Sequence, residues 1–147
     1  MGFNPQTERM SKKSGHIAAK IERFRGRDLD AHYLGYLDCF NRQLFYEAHD
    51  VLEELWLEGR RGPNGDFYKG LIQLAGAFVH VQKSRCGPAL ALLRLAQTNL
   101  EKYPASHQQL DCRAVLELIG IWQARVEGAA GSVSLLDQGN LPELKLI

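Results

Sequence analysis

The sequence lacks paired cysteines, long apolar runs and the frequent β-branched residues that are typical of strands. Its three cysteines, Cys39, Cys86 and Cys112, are far apart and odd in number, so neither a disulfide framework nor a cysteine-based metal site is predicted. The most apolar stretch, residues 70–81, is interrupted by two polar residues and is too short to span a bilayer. These absences predict a cytoplasmic protein without membrane insertion.

Motifs of several common enzyme classes are missing as well. The chain has no Gly-x-Ser-x-Gly turn, no phosphate-binding glycine loop and no Cys-x-x-Cys pair. The polar, basic N-terminus also lacks the apolar core of a secretory signal. The motifs therefore assign no reaction, and whether the protein is an enzyme stays open.

Charge is unevenly distributed along the chain. The net charge is +1, yet residues 1–27 hold seven Lys and Arg against two Glu, and residues 28–147 hold eleven against fifteen Asp and Glu. A basic arm of this kind can contact nucleic acid, but Phe3 and Phe24 are its only aromatic residues and form no stacking platform. Nucleic-acid binding is therefore disfavoured, and residues 1–27 are predicted to be poorly ordered or docked on the acidic body.

Helical periodicity and turn signals account for most of the remaining sequence, and no strands are predicted. The third predicted helix is apolar around most of its circumference, which indicates a central position. Residues 28–128 are therefore predicted to form an all-α, single-domain antiparallel bundle, and residues 129–147 a tail docked by its leucines. The five predicted helices are approximately residues 30–41, 45–58, 67–84, 87–103 and 106–127, with Asp28 or Asp30 capping the first, Asp66 the third and a Ser106-His107-Gln108-Gln109 capping box the fifth.

Polar residues collect on facing parts of the second and third helices. His49 and Glu53, one turn apart, lie at the edge of the apolar face of the second helix. Gln73 and His80 lie on the single small or polar stripe of the third. Buried polar groups need partners, and a short turn makes these helices neighbours, so the two pairs are expected to meet. This predicted seam consists of His49, Glu53, Gln73 and His80, with Tyr46 and Trp56 at its margin.

Three interpretations of the predicted seam stay open. It is a satisfied hydrogen-bond network, a divalent-metal site or a site of acid–base chemistry on a small ligand. Two imidazoles and a carboxylate, from His49, His80 and Glu53, are a common metal-ligand set, although their spacing matches neither His-Glu-x-x-His nor Glu-x-x-His. No cofactor other than this metal is predicted. His16, His32 and His107 receive no partner.

These residues also carry a family signature. FYEAHDVLEELW at residues 45–56, YKGLIQLA at residues 68–75 and the following His80 resemble the small all-helical family catalogued as domain of unknown function 309. The resemblance covers about residues 33–103 and implies a compact helical bundle but no activity. Arg42-Gln43 departs from it where a glycine is expected, which argues against a tight left-handed turn there. Carried over by position, the signature residues are Glu47, His49, Glu53, Gln73 and His80, with Trp56 as the aromatic residue.

The leading functional interpretation is a helical module. In it, the seam serves structure or small-ligand binding, and a helix face binds a partner or a second copy. Four large residues, Tyr36, Leu57, Phe67 and Trp122, exceed what one small core is expected to bury, which favours a homo-oligomer. The alternative is a small metal-assisted hydrolase-like or lyase-like enzyme that uses His49, Glu53 and His80.

Overall fold

The computed structural model describes residues 16–129, 136 and 139–147, and 69% of these residues are helical. An additional helical element precedes the five predicted ones, because residues 16–21 are α-helical and run directly into a 3-10 turn at Glu22–Phe24. The all-α class is confirmed, whereas the predicted number of helices is one too few. The five long helices are Ala31–Asn41 (α1), Phe45–Gly59 (α2), Gly65–Gln82 (α3), Cys86–Leu100 (α4) and Cys112–Gly128 (α5).

Each of the five helices packs against the next one along the chain. α3 is the most deeply buried, with eleven of its 18 residues inside, as its apolar circumference predicts. The Tyr36 hydroxyl of α1 donates a 2.6 Å hydrogen bond to the Leu71 carbonyl, and Phe78 meets Trp122 of α5 edge-on at 5.0 Å between ring centroids. α3 is therefore in contact with all the other helices of the bundle. None of the helices in the described ranges combines the length and apolar character that a membrane crossing requires.

Most of the large residues on which the predicted homo-oligomer was based are buried in the core of a single chain. Tyr36 and Phe67 are fully buried, and Trp122 is 2% exposed. They fit because α3 offers apolar surface on several sides, so aromatic residues from α1 and α5 pack on it as well. Leu57 is the exception, at 51% exposed. The argument for an oligomer from excess apolar residues therefore fails for three of the four.

A small β-hairpin stands where the fifth helix was predicted to begin. Ser106–His107 (β1) and Leu110–Asp111 (β2) pair in antiparallel fashion. The two residues between them, Gln108 and Gln109, have φ values of 51° and 58°, the left-handed conformation that a two-residue type I′ hairpin turn requires. Two such residues in succession cannot continue a right-handed helix. The prediction that the chain contains no strands is therefore wrong here.

Two predicted helix caps are also wrong. α5 is capped by Asp111, whose side chain accepts a 3.0 Å hydrogen bond from the N–H three residues later, and not by Ser106. α3 begins after Asn64, so Asp66 lies within its first turn rather than at the cap. By contrast, Asp30 caps α1 as predicted, with its carboxylate accepting from the backbone N–H two residues later at 2.7 Å.

The helical residues 16–21 lie across α1 and α2. Ile17 and Ile21 are buried together with Val51 of α2 in an apolar cluster separate from the main core. A Cβ atom at Gly35 of α1 would lie 2.9 Å from Ile21 Cγ2, so the missing side chain lets this segment approach. Part of the predicted basic arm is thus seated on the bundle, while residues 1–15 lie outside the described residues.

The last nine residues of the chain are held beside α1. The Asn41 side chain accepts from the Leu144 N–H and donates to the Leu144 carbonyl, both at 2.8 Å. Leu144 is buried, and Leu146 forms an isolated antiparallel bridge with Leu110. Gln43 has a φ of 65° although it is not glycine, and its amide donates to the Pro142 carbonyl at 3.3 Å. The left-handed turn after α1 therefore forms in spite of the missing glycine. Residues 130–135, 137 and 138 of the predicted tail lie outside the described residues.

We expect Asp111→Ala to lower the free energy of unfolding by about 1 kcal/mol, because the first turn of α5 loses its capping acceptor. Ser106→Ala is the matched control and should leave stability unchanged, since Ser106 is exposed and lies in β1. Urea denaturation followed by circular dichroism measures both. A larger loss in the free energy of unfolding for Ser106→Ala than for Asp111→Ala would instead support Ser106 as the cap of α5.

Candidate functional site

The polar stripe of α3 faces α4. Gln73 Oε1 accepts a 2.8 Å hydrogen bond from Asn99 Nδ2, and Asn99 is buried. A Cβ atom at Gly70, one turn earlier, would lie 2.9 Å from Leu100 Cγ, so the small residues of this stripe allow α4 to approach closely. Gln73 therefore meets α4, and not the His49 and Glu53 side chains as predicted from the sequence.

α2 meets α3 through apolar residues instead. Phe45 of α2 stacks on Phe78 of α3, with ring centroids 5.1 Å apart. Ala48 and Leu52, on the same side of α2, are fully buried. A short turn does make these two helices neighbours, as predicted, but the residues that it brings together come from their apolar sides.

The Gln73–Asn99 pair continues outward to the surface. Lys102 donates to Asn99 Oδ1 at 3.2 Å and pairs with the Asp66 carboxylate at 2.9 Å. The Asn99 amide thus donates to one neighbour and accepts from another, which satisfies a buried polar group. This arrangement fixes the register of α3 against α4.

His49 and Glu53 form a local cluster on α2. His49 Nδ1 lies 3.2 Å from Asp50 Oδ1, and Nε2 lies 3.8 Å from Glu53 Oε2. The three side chains are 33%, 24% and 31% exposed, respectively. These contacts form a partly solvated group on the surface of α2.

His80 lies at the C-terminal end of α3. Its Nδ1 atom is buried and has no hydrogen-bond partner among the described residues. Burial lowers the pKa of His80, and the nearby Arg85 and Lys83 lower it further. The neutral imidazole is therefore the form that the folded chain favours.

The three candidate metal ligands are not gathered into one site. Within residues 16–129, 136 and 139–147, no group of three or more His, Cys, Asp or Glu side chains is placed so that it could hold a metal ion. His49 and Glu53 lie on the surface of α2, whereas His80 sits at the end of α3. The metal-site interpretation thus finds no geometric support in the described residues.

The other two signature residues have separate surroundings. Burial raises the pKa of the Cys39 thiol; Asp38 and Glu47 add to this effect, and Lys20 opposes it. Glu47 therefore lies within electrostatic range of Cys39 on α1. Trp56 is partly buried at the edge of the main core, where it packs as an apolar residue.

Of the three histidines without an assigned partner, His32 and His107 have one that is distant in the sequence. His32 Nδ1 lies 3.1 Å from Asp30, and its Nε2 lies 3.2 Å from Glu54 of α2. His107 Nε2 lies 2.7 Å from Asn64 Oδ1. Asp30, the predicted cap two residues before His32, was the signal available in the sequence. The other partners are 22 and 43 residues away and depend on helix register and on the hairpin.

Four surface depressions lie away from the predicted seam. They have volumes from about 270 to 660 Å³ and border the C-terminal tail or the N-terminal helical residues. None of the four is lined by Glu47, His49, Glu53, Trp56, Gln73 or His80. These depressions therefore do not support a small-ligand site at the signature residues.

Part of the chain matches a family model. Residues 33–92 match the model of the family described as "Domain of unknown function (DUF309)". The predicted resemblance is confirmed. The DUF309 match extends from α1 into α4 and includes every signature residue, whereas the basic arm and the tail lie outside it. No curated protein and no solved structure shows significant similarity to the chain.

We expect Gln73→Ala and Asn99→Ala each to destabilise the fold by about 1–3 kcal/mol, because each leaves a buried amide without its partner. The double variant should lose clearly less free energy of unfolding than the sum of the losses of the two single variants. Urea denaturation of the unaltered protein, both single variants and the double variant measures this coupling. The Gln73→Ala and His49→Ala pair is the control and should be additive within about 0.5 kcal/mol. Strong coupling in the control pair would place Gln73 and His49 in one network after all.

The lowered pKa of His80 predicts that the free energy of unfolding decreases as the pH falls. A lowered folded-state pKa means that the unfolded chain binds more protons, so stability is lost as the pH falls through the unfolded value of about 6.5. His80→Gln should therefore show a flatter dependence of melting temperature on pH between about 7.5 and 5. Some dependence should remain, because burial also lowers the pKa of His107. Identical slopes for both proteins would contradict the assignment.

Proposed function

We propose that the protein is a non-catalytic helical interaction module whose α2 binds a basic, partly apolar segment of a partner. The composition of α2 carries this proposal. The helix has five Asp and Glu residues and no Lys or Arg. On the same helix, Tyr46 and Leu57 are 63% and 51% exposed.

These features coincide on one side of the helix. At about 100° per residue, Tyr46, Asp50, Glu53 and Leu57 follow one another along the outward side of α2; we call these four residues the acidic face. The two apolar residues are about 16 Å apart along the axis, with the two carboxylates between them. A cationic segment with two apolar side chains would match this pattern, since complementary charge guides association and apolar anchors supply affinity.

In this proposal, the signature residues hold α2 and its acidic face in position and do not carry out a reaction. The Gln73–Asn99 contact joins α3 to α4, and the apolar side of α2 packs on α3, so the position of α2 depends on a well-packed centre. The geometry of the described residues does not favour the metal-assisted enzyme, because its three candidate ligands are not gathered into one site there. A homo-oligomer and a cytoplasmic location stay predictions.

We expect a fluorescein-labelled amphipathic peptide of Lys and Leu to bind the protein saturably, as measured by fluorescence anisotropy. Tyr46→Ser/Leu57→Ser and Asp50→Asn/Glu53→Gln should each weaken binding about tenfold or more, equivalent to at least 1.4 kcal/mol. The electrostatic part should decrease with added salt.

The controls use other exposed apolar residues and the opposite charge. Leu95→Ser/Ile121→Ser removes two side chains that are 50% and 52% exposed on α4 and α5, and it should leave the affinity unchanged. A peptide with Glu in place of Lys should not bind. Equal affinities for all protein variants would overturn the proposed function.

A further inference from the structure

We propose that a second copy of this chain binds the exposed side of α5, so that two chains form a symmetric dimer with their α5 helices antiparallel. Both the surface and the partner differ from those of the function proposed above. Three features of α5 and of the segment beside it lead to this dimer.

The first feature is an exposed apolar surface on α5. Ile121 is 52% exposed, and Leu141, in the described segment that follows α5, is 39% exposed. Both line a depression of about 270 Å³ between the helix and residues 140–142, and Leu118 and Trp122 add to its apolar lining. Covering these side chains with another chain would be favourable, because it removes apolar surface from water.

The second feature is a pair of opposite charges placed evenly about Ile121. Glu117 lies four residues before it and Arg125 four residues after it, and both line the same depression. Each charge therefore lies about 6 Å along the helix axis from Ile121 and within about 40° of its direction. The Arg125 guanidinium is held over the Trp122 ring, 4.9 Å from its centroid. Neither Glu117 nor Arg125 forms an ion pair within the described residues.

The third feature is the symmetry of this arrangement. Identical chains associate most often about a two-fold axis, which places one surface patch on the same patch of the other chain. With the axis at Ile121 and the two helices antiparallel, Glu117 of each chain comes beside Arg125 of the other. The apolar contact is then flanked by two equivalent ion pairs, so this surface of α5 is complementary to itself.

Two other exposed apolar surfaces fit a second copy less well. Tyr46 and Leu57 lie on α2, which has five Asp and Glu residues and no Lys or Arg, so two acidic faces would repel each other. The exposed Leu95 of α4 follows Arg94, whose charge is already paired with Glu127 at 3.1 Å. α5 therefore offers a second copy a better match than α2 or α4 does.

The dimer is expected to be reversible. A contact of one helix and one short segment from each chain lies at the lower end of specific interfaces, at about 1,200 Å² in total, so we expect a dissociation constant in the micromolar range. Sedimentation velocity of the full chain should show mostly monomer at about 1 μM and mostly dimer at about 200 μM. A monomer at every concentration would overturn the dimer.

Charge reversal tests the geometry of the interface. Glu117→Arg would bring two Arg side chains together across the interface, and Arg125→Glu would bring two Glu side chains together. Each variant alone should therefore dimerise at least about tenfold more weakly than the unaltered chain. An equimolar mixture of the two variants should dimerise again, because every contact in the mixed pair joins opposite charges. Recovery in the mixture also shows that both variants are folded.

Glu127→Arg is the matched control for Glu117→Arg, since it makes the same change of charge on the same helix. Glu127 lies about 120° from Ile121 around α5 and pairs with Arg94 of its own chain, so dimerisation should stay unchanged. Equal weakening by Glu117→Arg and Glu127→Arg, or no recovery in the mixture, would overturn the proposed interface. Loss of the dimer in Tyr46→Ser/Leu57→Ser would place the contact on α2 instead.

Discussion

The close approach of α3 and α4 is the constraint on which the rest of the fold depends. Gly70 leaves room for the Leu100 and Asn99 side chains of α4 against α3, and the Gln73–Asn99 hydrogen bond sets the register along that contact. Because Phe78 of α3 packs against aromatic residues of α1, α2 and α5, a shift at this contact would disturb the whole core. A hydrogen bond between two amides also has strict geometry, which apolar packing alone does not supply.

Much of the architecture could be predicted, because the spacing of apolar residues along each helix determines which of its sides is buried. The apolar circumference of residues 67–81 predicts a central α3, and the short turn at residues 60–64 predicts that α2 and α3 are neighbours. The stripe of Gly70, Gln73 and Ala77 correctly indicated a surface for another helix. It did not indicate which helix, because periodicity gives the direction of a residue on its own helix and says nothing about the rotation of its neighbour. Asn99, the actual partner of Gln73, lies beside the apolar stripe of α4 and belongs to no recognisable sequence motif.

The failures of sequence reasoning share one physical origin. The capping box at Ser106 is a local pattern, and here a backbone conformation with two consecutive residues at positive φ overrides it. The contact between His32 and Glu54 depends on the antiparallel alignment of α1 and α2, which no short motif encodes. The family signature likewise marks His49, Glu53, Gln73 and His80 together, although the structure distributes them between a helix surface, a buried contact and a helix end. Residues that a sequence motif groups together therefore do not need to form one site in the fold.

The last turns of α1 hold both ends of the described chain. Asp38 forms a 2.6 Å ion pair with Arg23 from the N-terminal side, and Asn41, less than one turn later, carries both hydrogen bonds to Leu144 from the C-terminal side. Fraying of this single turn would therefore break one contact to each end at the same time, although buried isoleucines and Leu144 hold the ends elsewhere as well. Amide hydrogens near residues 23 and 144 are expected to exchange faster than those of α3.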